Sequence, residues 1–129
     1  MHVTAIYAAL LAFVFVFLSA RTIGARRAAR VEIGDGDDQE LLRRARVHAN
    51  FAEYVPLALI LMALAESLKL PVLALHAIGV VLLAGRIAHA YGLSQTPHIM
   101  KLRVGGMAAT FTAMVAAATA CLILALRII

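Results

Sequence analysis

The sequence predicts an all-α membrane protein, a four-transmembrane-helix bundle. Three observations predict it. Of 129 residues, 64% are hydrophobic and only 15% are charged, which is more apolar surface than a water-soluble domain of this size can hide. Four stretches, residues 2–20, 41–66, 71–92 and 103–127, reach the roughly 20 residues that an apolar helix needs to cross a bilayer. The cations gather in two of the connections between them. Those connections are too short for a further domain, so residues 1–129 are expected to form one unit.

The first segment is apolar all round and carries Phe13, Phe15 and Phe17. It resembles a secretory leader only in hydropathy. No basic run precedes it, and Arg21 follows Ala20 without a convincing cleavage site, so it is expected to be a retained span. Arg21, Arg26, Arg27 and Arg30 come next, where cations suit a helix C-terminus. Residues 32–40 then turn acidic and glycine-rich. This is read as an exposed turn, with Asp37 or Asp38 as the N-cap of the second helix; the spacing does not fit a calcium loop.

The second segment begins amphipathic and ends apolar, with Pro56 as a candidate kink. Its mouth holds Arg46, Asn50 and Glu53, at relative positions 0, 4 and 7. Those positions share one helix face. His48 lies off that stripe, toward another helix or another subunit. The third segment starts after Pro71, a suitable first-turn residue, and carries Arg86 and His89, three apart on one face. The fourth opens at Arg103 and is lined with small residues, Gly105 to Ala120, that permit close helix contact. Cys121 lies within it and has no partner for an intrachain disulfide.

Cation placement predicts topology. Loops one and three hold most of the Arg and Lys, so the positive-inside rule puts both in the cytoplasm and both termini outside. The short chain and minimal loops favour a bacterial inner membrane. The net charge of +5 is mostly this topological signal. Nucleic-acid binding is excluded as a reading, because the Arg residues flank membrane spans. The His residues have no metal-ligand spacing, so no metal site is expected.

Arg46, Asn50, Glu53, Arg86, His89 and Arg103 come from three helices yet gather on one side of the membrane. Ionisable groups at such depth are costly and need a partner or a ligand. Two readings stay open on the residues alone. One is a ligand site, in which a cation, an amide and a carboxylate grip a small zwitterion. The other is helix glue, in which Glu53 pairs with Arg46 or Arg86.

The run Arg43-x-x-Arg46-x-His48-x-Asn50-x-x-Glu53-x-x-Pro56 resembles the signature of the MAPEG family, the membrane-associated proteins of eicosanoid and glutathione metabolism. Three weaker pieces agree. They are the basic run 25–31, the Gly85-Arg86-Ile87-Ala88-His89 run and Arg103 at the start of helix four. The resemblance covers essentially the whole chain, in order. It implies a homotrimer with glutathione, a co-substrate, bound between subunits near the cytoplasmic side. It implies that Arg26, Arg46, His48, Asn50, Glu53, Arg86 and His89 line the glutathione site and that Arg103 faces the sulfur as the catalytic residue. The activity implied is that of a glutathione S-transferase or peroxidase, acting on a lipophilic electrophile or hydroperoxide drawn from the lipid bilayer. The alternative within the family is a non-catalytic glutathione- or lipid-binding protein. Outside it, a small four-helix exporter is disfavoured because segment one has no carboxylate. Leu93 stands where some family members carry a Tyr, and Val104 where prostaglandin-forming members carry a hydroxyl donor, which argues against prostaglandin isomerase activity.

Overall fold

The structure is a computed structural model that describes residues 1–127; Ile128 and Ile129, part of the single unit predicted from the sequence, lie outside the described residues. It contains four helices, α1 (Val3–Ala29), α2 (Gln39–Ser67), α3 (Val72–Ser94) and α4 (Met100–Leu126). All four are long and apolar enough to span a bilayer. Large apolar side chains point outward, with Phe13 at 74% and Val115 at 64% exposed. A soluble protein rarely exposes so much apolar surface, whereas a bilayer solvates it. The chain is an integral, multi-pass, all-α membrane protein.

The helices alternate in direction. Glu66 near the end of α2 meets Val3 at the start of α1, while Gly92 near the end of α3 meets Arg103 at the start of α4. The middle helices α2 and α3 touch each other and both outer helices; α1 and α4 do not touch. The core therefore runs along α2 and α3, with Leu11, Phe51, Met62, Leu75 and Leu82 buried in it.

Helix α1 continues nine residues beyond Ala20, where the apolar stretch ends. Arg and Ala are strong helix formers, so the helix outlasts the hydrophobic span and carries Arg21, Arg26 and Arg27 out of it. It stops at Arg30, in the left-handed conformation (φ 54°). There Val31 N–H donates to the Arg26 carbonyl at 3.1 Å and Arg30 N–H to that of Arg27 at 3.3 Å, the Schellman pattern. Lys69 ends α2 in the same way, at φ 67°. The expected cap of α2 is present. The Asp38 carboxylate accepts from Leu41 N–H at 2.8 Å. Helix α2 passes through Pro56 as one element, and the proline lines a groove beside α1.

One role was not legible in the sequence. The Glu66 carboxylate accepts from the N–H groups of Val3 (3.0 Å) and Thr4 (2.9 Å), and lies 3.9 Å from the Met1 ammonium. The first N–H groups of a helix have no intrahelical partner, and a carboxylate there also complements the helix dipole. Glu66 thus caps a helix 63 residues away in sequence and pins the two helices together at the loop-two end. Glu66→Ala should cost about 1–2 kcal/mol, seen as a lowered thermal midpoint in detergent with near-native helix content. An unchanged midpoint would show that the cap contributes nothing.

Candidate functional site

The α3–α4 seam builds the site. Gly85, Gly92 and Gly106 let the two backbones approach. A Cβ on Gly106 would sit 2.5 Å from both the Gly85 carbonyl oxygen and the His89 nitrogen, and one on Gly92 would sit 2.8 Å from the Arg103 nitrogen. This is the close contact that small residues permit. Its antiparallel register sets Arg86 against Thr110, His89 against Gly106, and Gly92 against Arg103.

Arg86 is fully buried (0% exposed) where three helices meet. Its Nη2 donates to Asn50 Oδ1 on α2 at 2.6 Å, and its Nη1 reaches Thr110 Oγ1 on α4 at 3.4 Å and the Met107 sulfur at 3.5 Å. Its guanidinium carbon lies 5.6 Å from the centroid of the Phe51 ring, within cation–π range. Thr110 is itself fixed, donating to the Gly106 carbonyl at 2.8 Å. Among the described residues, no carboxylate lies within ion-pair distance of Arg86; the ion pairs found are Met1–Glu66 and Arg44–Glu40. Its Nε, and Nδ1 of the neighbouring buried His89, have no hydrogen-bond partner. A buried cation with only neutral partners is an electrostatically incomplete arrangement.

The predicted stripe on α2 divides by depth. Asn50 is half-buried and joins Arg86, whereas Arg46 and Glu53 are exposed on the protomer surface. Neither forms an ion pair among the described residues. The Glu53–Arg46 and Glu53–Arg86 pairs of the glue reading are thus not closed to ion-pair distance among the described residues. Hydrogen bonds from Arg86 still tie α2, α3 and α4 together. Arg103 lies in the first turn of α4, half-buried, one helical turn along the seam from His89.

Two predicted residues are placed elsewhere. Arg26 donates to the Gly34 carbonyl at 2.7 Å and so braces the acidic turn. His48 faces α1, with Nε2 3.0 Å from Ser19 Oγ and its ring stacked on Phe15 at 4.7 Å. Phe15 stacks in turn on Phe51 at 5.7 Å, so an aromatic column joins His48 to the Phe51 ring beneath Arg86. Thr110, Met107 and Phe51 were missed in the sequence reading. Each is an ordinary apolar-helix residue, and only the seam register reveals its contact. Leu93 is buried and Tyr91 lies in a separate groove between α1 and α3, so neither supplies a hydroxyl to this cluster.

Fold and site together define a four-helix integral membrane protein with a polar cluster, centred on a buried arginine, two to three turns in from the ends of three helices. The sequence profile of the MAPEG family matches residues 4–123. Over 112 residues the chain is 38% identical to the inner membrane protein YecN of Escherichia coli strain K12 and equally to YecN of Escherichia coli O6:H1 strain CFT073, covering 87% of this chain and 84% of each relative. The chain belongs to the MAPEG family, membrane proteins of eicosanoid and glutathione metabolism.

Asn50→Asp gives a direct reading of the site's electrostatics. A carboxylate at the Asn50 position would pair with Arg86 and complete its charge. The substitution should raise ligand-free stability in detergent by about 1–2 kcal/mol. A lower thermal midpoint would mean that the buried guanidinium is already compensated.

Proposed function

We propose that the protein is a glutathione S-transferase or peroxidase of the bacterial inner membrane, with its arginine-rich end in the cytoplasm. The observation that carries this reading is Arg86, buried with neutral partners. Glutathione offers two carboxylates, an ammonium, two amides and a thiol. Arg86 and the surface Arg46 would meet carboxylates, Asn50 an amide, and Glu53 the ammonium. The orphaned Nδ1 of His89 and Nε of Arg86 add unpartnered polar atoms to the same cluster. Arg46 and Glu53 are exposed on the protomer, which fits a site completed by a neighbouring subunit in a homotrimer. Arg26 and His48 would serve this site from the neighbouring copy or as supports of the loop and the aromatic column.

The chemistry follows from the thiol. A free cysteine thiol has a pKa of about 8.5, and the thiolate is the nucleophile. A guanidinium stays charged at every relevant pH. Arg103, which has no side-chain partner among the described residues, would stabilise the thiolate, with the thiol proton passing to water. The thiolate then forms a C–S bond to a lipophilic electrophile and displaces its leaving group. With a lipid hydroperoxide it attacks the terminal oxygen. That releases the alcohol and leaves a sulfenic acid, which a second glutathione converts to the disulfide and water.

A second reading within the family, a glutathione- or lipid-binding protein without turnover, rests on Leu93 and Val104. No hydroxyl donor is available at those positions to assist Arg103.

Titration of glutathione into detergent-purified protein, followed by thiolate absorbance near neutral pH, separates the readings. Wild type should give a saturable thiolate signal. Arg103→Ala should bind glutathione but lose at least about tenfold of that signal, equal to about 1.4 kcal/mol. Glu53→Gln should weaken binding about tenfold. Binding without thiolate in wild type would favour the non-catalytic reading, and no binding would overturn both.

A further inference from the structure

Where α3 faces α1, the two helices leave a groove of about 590 Å³. Its walls are Phe13, Phe17 and Leu18 on α1 and Ile87 and Ala90 on α3, and it shares no lining residue with the cluster. Phe13 and Phe17 are mostly exposed. From Phe13 to Arg21 the groove follows about 12 Å of helix, at about 1.5 Å per residue. That is most of one leaflet of a hydrocarbon core about 30 Å thick.

The groove ends in polar residues: Arg21, Ser94 and Gln95. A second concavity of about 380 Å³ begins at the same Arg21 and Ser94 and adds Arg43, Arg44, Glu40 and Thr96. The two adjoin at Arg21 and Ser94, and together offer a surface apolar along its length and cationic at its head. The cations are not equivalent. Arg44 is paired with Glu40. Arg21 donates to Ser94 Oγ at 3.0 Å and Arg43 donates to Thr96 Oγ1. These acceptors are neutral, and no carboxylate lies within ion-pair distance of either arginine among the described residues. Three cations face one carboxylate, a local charge of +2. Hydrogen bonds to α3 and to the loop after it hold both guanidinium groups in place, as a built phosphate site requires. Ordinary snorkelling arginines have no such fixed geometry.

We propose that this site binds one anionic glycerophospholipid, with an acyl chain in the α1–α3 groove and its phosphate between Arg21 and Arg43. Charge complementarity names the anionic head, and the groove's depth within a single leaflet names the chain. The lipid bridges α1, α2, α3 and the loop before α4, and so clamps the arginine-rich end of the bundle.

The test is native mass spectrometry of the detergent-purified protein in an equimolar mixture of phosphatidylglycerol and phosphatidylcholine. Wild type should retain phosphatidylglycerol at least about tenfold over phosphatidylcholine. The double variant Arg21→Gln, Arg43→Gln should lose that preference. Arg27→Gln, an exposed cation outside the site, should keep it. Ile87→Trp fills the groove and leaves both arginines in place, so it should lower retention even if the double variant does not fold. Equal retention of the two lipids by wild type, as expected if a second copy covers the groove, would overturn the proposal. So would a preference that survives both the double variant and Ile87→Trp. Full displacement by millimolar inorganic phosphate would also overturn it, because that would mark a site for the free anion.

Discussion

The structure depends on one electrostatic constraint, a positive charge held at the meeting point of three helices with no carboxylate within ion-pair distance among the described residues. In water the Arg86 guanidinium would be hydrated on every edge. Here it has an amide oxygen, a hydroxyl, a thioether and an aromatic face. Such partners soften the loss of solvent but do not cancel the charge. A membrane protein retains a residue of this kind when its cost is offset elsewhere, and an anionic ligand is the simplest source of the offset. The same hydrogen bonds that leave the charge incomplete also tie α2 to α3 and α4.

The seam that holds Arg86 is a packing device before it is a binding device. Lipid tails are as apolar as the helices, so hydrophobicity alone does little to drive helix association in a bilayer, and close van der Waals contact matters more. Gly85, Gly92 and Gly106 permit that contact and set the register. The register then decides the chemistry. It brings Thr110 and Met107 to Arg86 and sets Arg103 one turn beyond His89. At the other end of the bundle, Glu66 fixes the start of α1 by a cap that crosses between helices. The two ends are therefore held by different physics, tight backbone packing at one and charge-assisted capping at the other.

The four helices were legible because a bilayer imposes length and apolarity on each span, and both are written in the sequence. So was the cap at Asp38, which is a local signal. The end of α1 was less legible, because hydropathy marks where the lipid stops and not where the helix stops. The α2 stripe was legible as a pattern, but its division into a half-buried Asn50 and exposed Arg46 and Glu53 was not, since a helix wheel carries no depth. Glu66 was invisible as a cap, because its partners lie more than sixty residues away. Thr110 and Phe51 stayed hidden for a related reason. Nothing about a threonine or phenylalanine in an apolar helix says which neighbour it will meet.

In the proposed function, Arg86 is the counter-charge for a glutathione carboxylate. Calorimetric titration of the purified protein with glutathione and with its dimethyl ester, which lacks both carboxylates, measures this role, with Arg86→Met beside the wild type. Wild type should bind glutathione at least about tenfold more tightly than the ester, a difference of about 1.4 kcal/mol, and Arg86→Met, if it keeps its helix content, should reduce this discrimination. Equal binding of acid and ester by wild type, or discrimination that survives Arg86→Met intact, would contradict it.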